Sequence, residues 1–440
     1  MKHFRIITLG CKVNQCESAA LGHLLETAGF ESLQKGSTPD VVVINTCTVT
    51  GKAAMQSRQA IRQALRTHPA AQIIVTGCYA QTAPEEIQAI GGVCRIVGHR
   101  DKLRIADMVS GITSEEGHPE APMRPASNPA CPFAALPSVA REERTRAFLK
   151  IQDGCNTRCT YCIVPHARGP SRSMPTEDVR EHVRRLGAED FLEVVLTGIH
   201  LGAYGADLRP SVRLSELLSS LARDDTGVAR IRLSSIEPTE VNESILAVIH
   251  SNANRLCRHL HIPLQSGDDG VLRRMGRPYT SEQFAQTLTA IHHHIPGVAI
   301  GVDVMAGFPG ESEAAFAHTS QLIASLPIAY LHVFPFSPRR GTPAAAFKER
   351  VPERVSKERC RQLRLLGEDK RAAFHRAQVG AVLSVLIETA AEKKTGHAKG
   401  LSDNYVPVVI PDAAVAKNTL VTVRIKRITA DGMVIGHITD

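Results

Sequence analysis

"DGCNTRCTYCIVP", residues 153–165, sets Cys155, Cys159 and Cys162 within eight positions at the spacing CxxxCxxC. Four thiolates would close a tetrahedral zinc site or cap every iron of a [4Fe–4S] cluster. Here there are three, and no cysteine or histidine follows at zinc-ribbon spacing; His166 lies beyond Pro165. A metal centre on this segment is one protein ligand short.

Working outward, the segment follows a strand candidate, "AFLKIQ" (147–152), that heads an alternation of strands and helices. Further strands are expected at 192–198, 230–235, 259–264, 299–308 and 330–336. About six βα units fit a partial α/β barrel better than a complete eight-fold one. Upstream, "FRIITL" (4–9), "VVVIN" (41–45), "QIIVTG" (72–77) and "CRIVG" (94–98) alternate with amphipathic stretches at 17–29, 52–67 and 84–90. That order predicts a small parallel sheet wrapped by helices. Residues 114–139 carry six prolines and read as a linker. A charged helix is expected at 350–376, and from about 377 alternating strands predict a small closed β-barrel. The fold class is α/β: an N-terminal parallel domain (1–110), a linker (111–140), a partial (β/α)6 barrel (141–374) and an all-β barrel (375–440).

The totals agree with several globular domains: 440 residues, 43% hydrophobic and 22% charged. Lys and Arg exceed Asp and Glu by 52 to 44, an excess that suits a polyanion such as RNA. No apolar run is long enough to cross a bilayer. The opening "MKHFRIITLGCKVNQ" reads as a strand rather than a signal peptide. Eleven cysteines without an export signal point to a reducing cytoplasm and to metal-binding or catalytic thiols.

Three further cysteines close three strands of the first domain: Cys11 in "TLGC", Cys47 in "INTC" and Cys78 in "VTGC". Ligands of open parallel sheets bind where strand C-termini emerge, so three such thiols can converge on one point. Gly10 and Gly77 would let backbone approach a bulky inorganic group. The competing reading is three buried structural cysteines; three equivalent positions favour a second cluster.

The CxxxCxxC segment at the head of a six-unit barrel resembles the radical S-adenosylmethionine superfamily. The wider chain resembles its methylthiotransferases, through "ARGPSRS" (167–173), "VVLTGIHLGAYG" (194–205), "RLSSIEP" (232–238), "HIPLQSGDDGVLRRMGRPY" (261–279), "VDVMAGFPGE" (302–311) and "FPFSPRRGTPA" (334–344). The terminal β-barrel resembles the RNA-binding TRAM module. "TLGCKVNQCES" and "VVVINTCTVTGKA" resemble the branch acting on threonylcarbamoyladenosine, 3′ of the tRNA anticodon. Cys16 stands where that family has an aromatic and is a candidate substitute for Cys11, which the strand-end position favours.

The resemblance implies two [4Fe–4S] clusters. Cys155, Cys159 and Cys162 would hold three irons of the first, leaving the fourth for S-adenosylmethionine, with Tyr161 beside its adenine. Cys11, Cys47 and Cys78 would hold the second, which supplies or carries sulfur. It also implies a radical route, because the hydrogen on adenine carbon 2 is beyond any side-chain base at neutral pH. The implied partners are tRNA and an electron donor such as flavodoxin or ferredoxin.

S-adenosylmethionine is expected at the barrel's C-terminal rim. The candidates are Thr197, Gly198, Ser234, Ser235, Glu237, Gln265 and Ser266. Arg168 and Arg172 are candidates for a carboxylate or an RNA phosphate. Each polar residue also has a turn or capping reading, and Asp303 and Glu311 are read as structural caps. Lys393, Lys394, Lys399, Arg424, Lys426 and Arg427 are the RNA candidates. The run His292–His294 is read as a helix C-terminus rather than a metal site, and Cys94, Cys131, Cys257 and Cys360 as ordinary thiols. The alternatives are a methylthiotransferase for isopentenyladenosine or a ribosomal protein, a radical enzyme in which Cys11, Cys47 and Cys78 are inert, and a non-enzymatic iron–sulfur RNA-binding protein.

Overall fold

The protein is described by a computed structural model covering residues 2–33, 37–111, 133, 145–390, 396–411 and 414–439. The proline-rich segment, Cys131, Lys393 and Lys394 fall outside the described residues. The chain divides into two compact units. One gathers Met1–Val139, Gln152–Met174 and Ser337–Ala345; the other gathers Ala140–Ile151, Pro175–Phe336 and Ala346–Asp440.

The first unit is built on five parallel strands: β1 (Lys2–Thr8), β2 (Phe30–Ser32), β3 (Val41–Thr46), β4 (Gln72–Gly77) and β5 (Arg95–Val97). Their order is β2-β1-β3-β4-β5. Successive residues of β3 face opposite sides of the sheet. Val41 and Val43 pack with Leu21, Leu25 and Val97 on one side, while Val42 and Ile44 pack with Ile61 and Val75 on the other. A strand covered on both faces reads as an unbroken apolar run, which is how 41–45 reads. Two long helices cover the sheet, α1 (Lys12–Thr27) and α2 (Gly51–Thr67), the latter capped by Thr50 Oγ1 accepting from Ala53 N at 3.1 Å. The chain winds away in opposite senses from β1 and β3, so the crevice at their C-terminal ends is the switch point of the sheet.

The same unit holds the CxxxCxxC loop. A short antiparallel pair, 152–153 with 172–173, closes its base. Gly154 has φ +73°, and a Cβ there would sit 2.0 Å from Pro170 O, so only glycine lets the two arms meet.

The second unit contains six parallel strands: β6 (Arg146–Lys150), β7 (Glu193–Thr197), β8 (Arg230–Leu233), β9 (His259–His261), β10 (Ala299–Ala306) and β11 (Tyr330–Pro335). They form two three-stranded sheets joined by parallel bridges Ile231–Leu256 and Ser235–His261, the open six-unit barrel expected from the sequence. The helix Glu353–Ala377 packs on β11 and leads into a closed barrel of five strands. These are β12 (Val382–Thr389), β13 (Ala398–Ser402), β14 (Pro407–Ile410), β15 (Leu420–Ile428) and β16 (Val434–Ile438), filled by Leu383, Val385, Ile387, Val408, Val423 and Ile425.

A buried charge cluster fastens the small barrel to the larger one. Glu193, fully buried, accepts from Arg230 Nε at 2.6 Å and Arg232 Nε at 2.7 Å. The guanidiniums also donate to small-barrel carbonyls, Arg230 to Leu401 O (2.8 Å) and Arg232 to Asp403 O (2.9 Å). Burial would raise the Glu193 carboxyl, but Arg232 and Arg230 outweigh it and draw it down to about 2.

Candidate functional site

Cys11, Cys47 and Cys78 each stand where a strand of the first unit ends. Cys11 precedes α1 as its N-cap, Cys47 follows β3, and Cys78 opens the helix α3 (Cys78–Thr82) after β4. Gly10 takes φ +99°, and a Cβ there would lie 2.7 Å from Cys47 Cβ and 2.9 Å from its Sγ. Gly77 takes φ +96°, and its Cβ would strike Thr46 O at 2.4 Å. The room these glycines leave is filled by neighbouring chain, Cys47 Sγ among it. They let the strand ends, and with them the thiols, come together.

The thiols respond to one another. Burial raises the Cys47 thiol, the backbone N–H of Val49 lowers it, and Cys11 raises it again. Burial pushes Cys78 up to about 12, with Arg168 working against it and Cys47 and Cys11 adding to it. The charge of Cys11 reaches both Cys47 and Cys78, and that of Cys47 reaches Cys78, so the three lie near one another. An electrophile that took up the thiolates would relieve this repulsion, so the donor set fits a metal cluster. Cys16 is buried on α1, and the charge of Cys11 reaches Cys47 and Cys78.

Cys155, Cys159 and Cys162 are half-buried on their loop. Cys155 N donates to Gly169 O at 3.0 Å, Cys162 N to Cys159 O at 3.1 Å, and Thr157 N points at Cys155 Sγ at 3.4 Å. Ala344 N donates to Thr160 O at 2.8 Å, holding the loop's outer turn beside the half-buried Tyr161. Soft thiolates in this number suit iron–sulfur ligation.

Arg168 corrects a sequence expectation. It ends the short helix α4 (Val164–Arg168), is 1% exposed, and is committed to protein partners. Its Nη1 donates to Glu17 Oε1 and Asp153 Oδ1, both at 2.9 Å, and its Nη2 to Asn14 Oδ1 at 2.6 Å. Lys102 Nζ donates to the other Glu17 oxygen at 2.5 Å. Arg172 Nη2 donates to Arg168 O at 3.0 Å and lies 3.6 Å from Asp153 Oδ2. Arg168, buried and bonded to protein, is not placed to grip a carboxylate of a cofactor or an RNA phosphate; Arg172 is half-buried beside it. Arg168 instead presents a fixed positive charge toward Cys78, Cys47 and Cys11. Asn14 also donates to Leu9 O and Thr46 O, which ties together the ends of β1 and β3 beside Cys11 and Cys47. Asn14, Glu17 and Lys102 are functional neighbours that the sequence reading misses. Their one signal is a set of polar residues on the apolar face of α1, where Asn14, Glu17 and Ser18 are buried with Val13 and Leu21.

In the second unit the rim candidates do follow strand C-termini. Thr197 ends β7, with its hydroxyl donating to Val195 O at 3.3 Å, and Gly198 follows it. Ser234 is buried after β8, its Oγ without a hydrogen-bond partner among the described residues, and Ser235 bridges to His261. Gln265 takes φ +65°, a left-handed conformation that a non-glycine residue rarely keeps without reason, and pins β10 through Gln265 N to Asp303 O at 2.9 Å. Ser266 is buried against Thr319. Glu237 is engaged by Arg277 and caps the turn Pro238–Glu240; burial raises its carboxyl, with Arg277 opposing.

Asp303 is not a cap. It sits inside β10 and faces His261 and His332. Glu311 is structural, bonded to Gly307 N and to Arg359 at 2.6 Å. His292–His294 close the helix Ser281–His294, as the sequence suggests. Lys399, Arg424, Lys426 and Arg427 are exposed on β13 and β15; on β15 they alternate with the buried Val423 and Ile425. No helix among the described residues is long and apolar enough to cross a membrane.

Residues 3–98 match the model of Uncharacterized protein family UPF0004, and residues 149–323 match the Radical SAM superfamily. Over 91% of this chain, 42% of residues are identical to a threonylcarbamoyladenosine tRNA methylthiotransferase of Bacillus subtilis, of which 89% is covered. The chain belongs to the threonylcarbamoyladenosine tRNA methylthiotransferase family. A member from Thermotoga maritima is 34% identical over 99% of this chain and 96% of its own. A tRNA-2-methylthio-N(6)-dimethylallyladenosine synthase of Moorella thermoacetica is 31% identical over 97% and 96%. Among solved structures, the radical S-adenosylmethionine methyltransferase TsrM of Kitasatospora setae shares the fold at TM-score 0.57 and 16% identity, covering 78% of this chain and 77% of that one.

Proposed function

We infer that this protein adds a methylthio group to carbon 2 of N-threonylcarbamoyladenosine beside the tRNA anticodon, using two [4Fe–4S] clusters and S-adenosylmethionine. What supports the reading is the placement of Cys11, Cys47 and Cys78 at the ends of three neighbouring strands, in a chain that also has the CxxxCxxC loop.

When bound, the clusters and S-adenosylmethionine supply reducing electrons, a carbon radical and sulfur. The protein's own residues do the rest. Cys155, Cys159 and Cys162 would hold one cluster on a loop fixed by Gly154 and the 152–153/172–173 pair. Cys11, Cys47 and Cys78 would hold the other, with Arg168 offsetting its negative charge. Thr197, Gly198, Ser234, Ser235, Glu237, Gln265 and Tyr161 are the proposed contacts of S-adenosylmethionine. The exposed Lys399, Arg424, Lys426 and Arg427 would track tRNA phosphates. The reaction calls for a low-potential one-electron donor of the flavodoxin or ferredoxin class and for the reducing cytoplasm where tRNA is found.

The test is a nucleoside profile of tRNA from a strain lacking this gene. The methylthio group should vanish from threonylcarbamoyladenosine and return with the intact gene. Its loss from isopentenyladenosine instead would overturn the substrate assignment.

A further inference from the structure

Three neighbouring strands of the six-stranded barrel turn an unusual set of side chains to one side. His261 on β9, Asp303 on β10 and His332 on β11 bring one ligand atom each within 4.8 Å of the others. The register causes this: Asp303 pairs directly with His332, and Gly301 pairs with both His261 and Tyr330. A Cβ at Gly301 would lie 2.2 Å from the Tyr330 ring, so glycine there is what lets Tyr330 reach across toward His261.

We propose that His261, Asp303 and His332 form a binding site for one divalent cation of the Mn(II), Fe(II) or Zn(II) kind. Two imidazoles and a carboxylate on one side of an ion, with the remaining positions open, make a recurrent site for such metals. The separations suit it. His261 Nε2 lies 2.9 Å and His332 Nδ1 3.3 Å from Asp303 Oδ1. An ion about 2.1 Å from each atom would subtend angles of roughly 90° and 105° at those pairs. Hydrogen bonds alone account for such distances less fully, because among the described residues Asp303 Oδ1 has no partner of good hydrogen-bond geometry.

The surroundings prepare the ligands. His261 Nδ1 faces the Tyr330 hydroxyl at 3.2 Å, and that oxygen also meets His259 Nε2 at 2.8 Å. A ligating histidine commonly donates its other N–H in this way, which fixes the tautomer and leaves Nε2 for metal. Tyr405, from the turn after β13, stacks on His259 with ring centroids 4.2 Å apart and stiffens the supporting side. His261 is buried, whereas the His332 side chain is 54% exposed, which gives an ion its entry and leaves positions for water or a substrate oxygen.

The test is a titration of the anaerobically reconstituted full-length protein with Mn(II), followed by the loss of the free-ion EPR signal. Mn(II) prefers nitrogen and oxygen donors and so avoids the cysteine sites. One Mn(II) per chain is expected, with at least tenfold weaker binding in Asp303→Asn and in His332→Ala. Iron content and melting temperature of each variant report on folding, and His332→Ala alters an exposed side chain, so it decides the matter if Asp303→Asn does not fold. No Mn(II) uptake by the wild type, or uptake unchanged in a folded variant, would overturn the site.

Discussion

Arg168 shows how much a single side chain carries. It is fully buried, its charge is shared among Glu17, Asp153 and Asn14, and it faces the three strand-end thiols. Arg168→Gln would leave Glu17 and Asp153 with less compensating charge in a low-dielectric interior, a loss of about 3–5 kcal/mol. The expected readouts are a lower melting temperature and the loss of about half the iron taken up on reconstitution. The thiols themselves offer a second prediction. In the cluster-free protein Cys11 is exposed, whereas Cys78 is buried and raised to about 12. Near neutral pH Cys78 should therefore alkylate more slowly than the exposed Cys11. Peptide mass spectrometry after timed iodoacetamide treatment gives the order; Cys78 labelled before Cys11 would contradict the packing described.

At the scale of elements, the two barrels of the second unit share one buried ion cluster. Glu193→Gln keeps the shape but leaves Arg230 and Arg232 without their anion, at a cost of about 3–5 kcal/mol. The pH dependence has a definite sign. Arg232 and Arg230 overcome the burial of Glu193 and lower its pKa from 4.5 to about 2, so its contribution is complete above pH 4.5 and disappears as pH falls toward 2. That contribution is ~3 kcal/mol. Urea midpoints for wild type and Glu193→Gln should differ most above pH 5 and converge under acid; a constant difference would mean that Glu193 acts by packing alone.

The elements also mark what the sequence could reveal. The buried runs of β3 and β4 and the alternation of β15 follow from periodicity, and the strand-end cysteines are visible as soon as those strands are drawn. Three-residue β2 is too short to show a period. The Glu17–Arg168 pair spans 151 positions and the Asp303–His332 pair sits across a strand register, so neither leaves a local pattern. In the sequence Arg168 reads as a ligand-binding arginine because only packing reveals its partners.

For the whole molecule, the small barrel is both a structural partner of the larger barrel and the proposed RNA surface. Deleting it would expose Arg230 and Arg232, so a truncation confuses the two roles. Replacing the exposed Lys399, Arg424, Lys426 and Arg427 with glutamate keeps the core of the small barrel. tRNA affinity should fall, and the slope of log affinity against log salt should flatten by roughly one for each phosphate no longer neutralised. An unchanged slope would place the RNA elsewhere.

The account rests on two separate cysteine-bound centres in one chain. Anaerobic reconstitution followed by iron and sulfide analysis measures this directly. About eight irons per chain are expected for the wild type, and about four after replacing Cys11, Cys47 and Cys78 together or Cys155, Cys159 and Cys162 together. About four irons in the wild type, unchanged when Cys11, Cys47 and Cys78 are replaced, would contradict it.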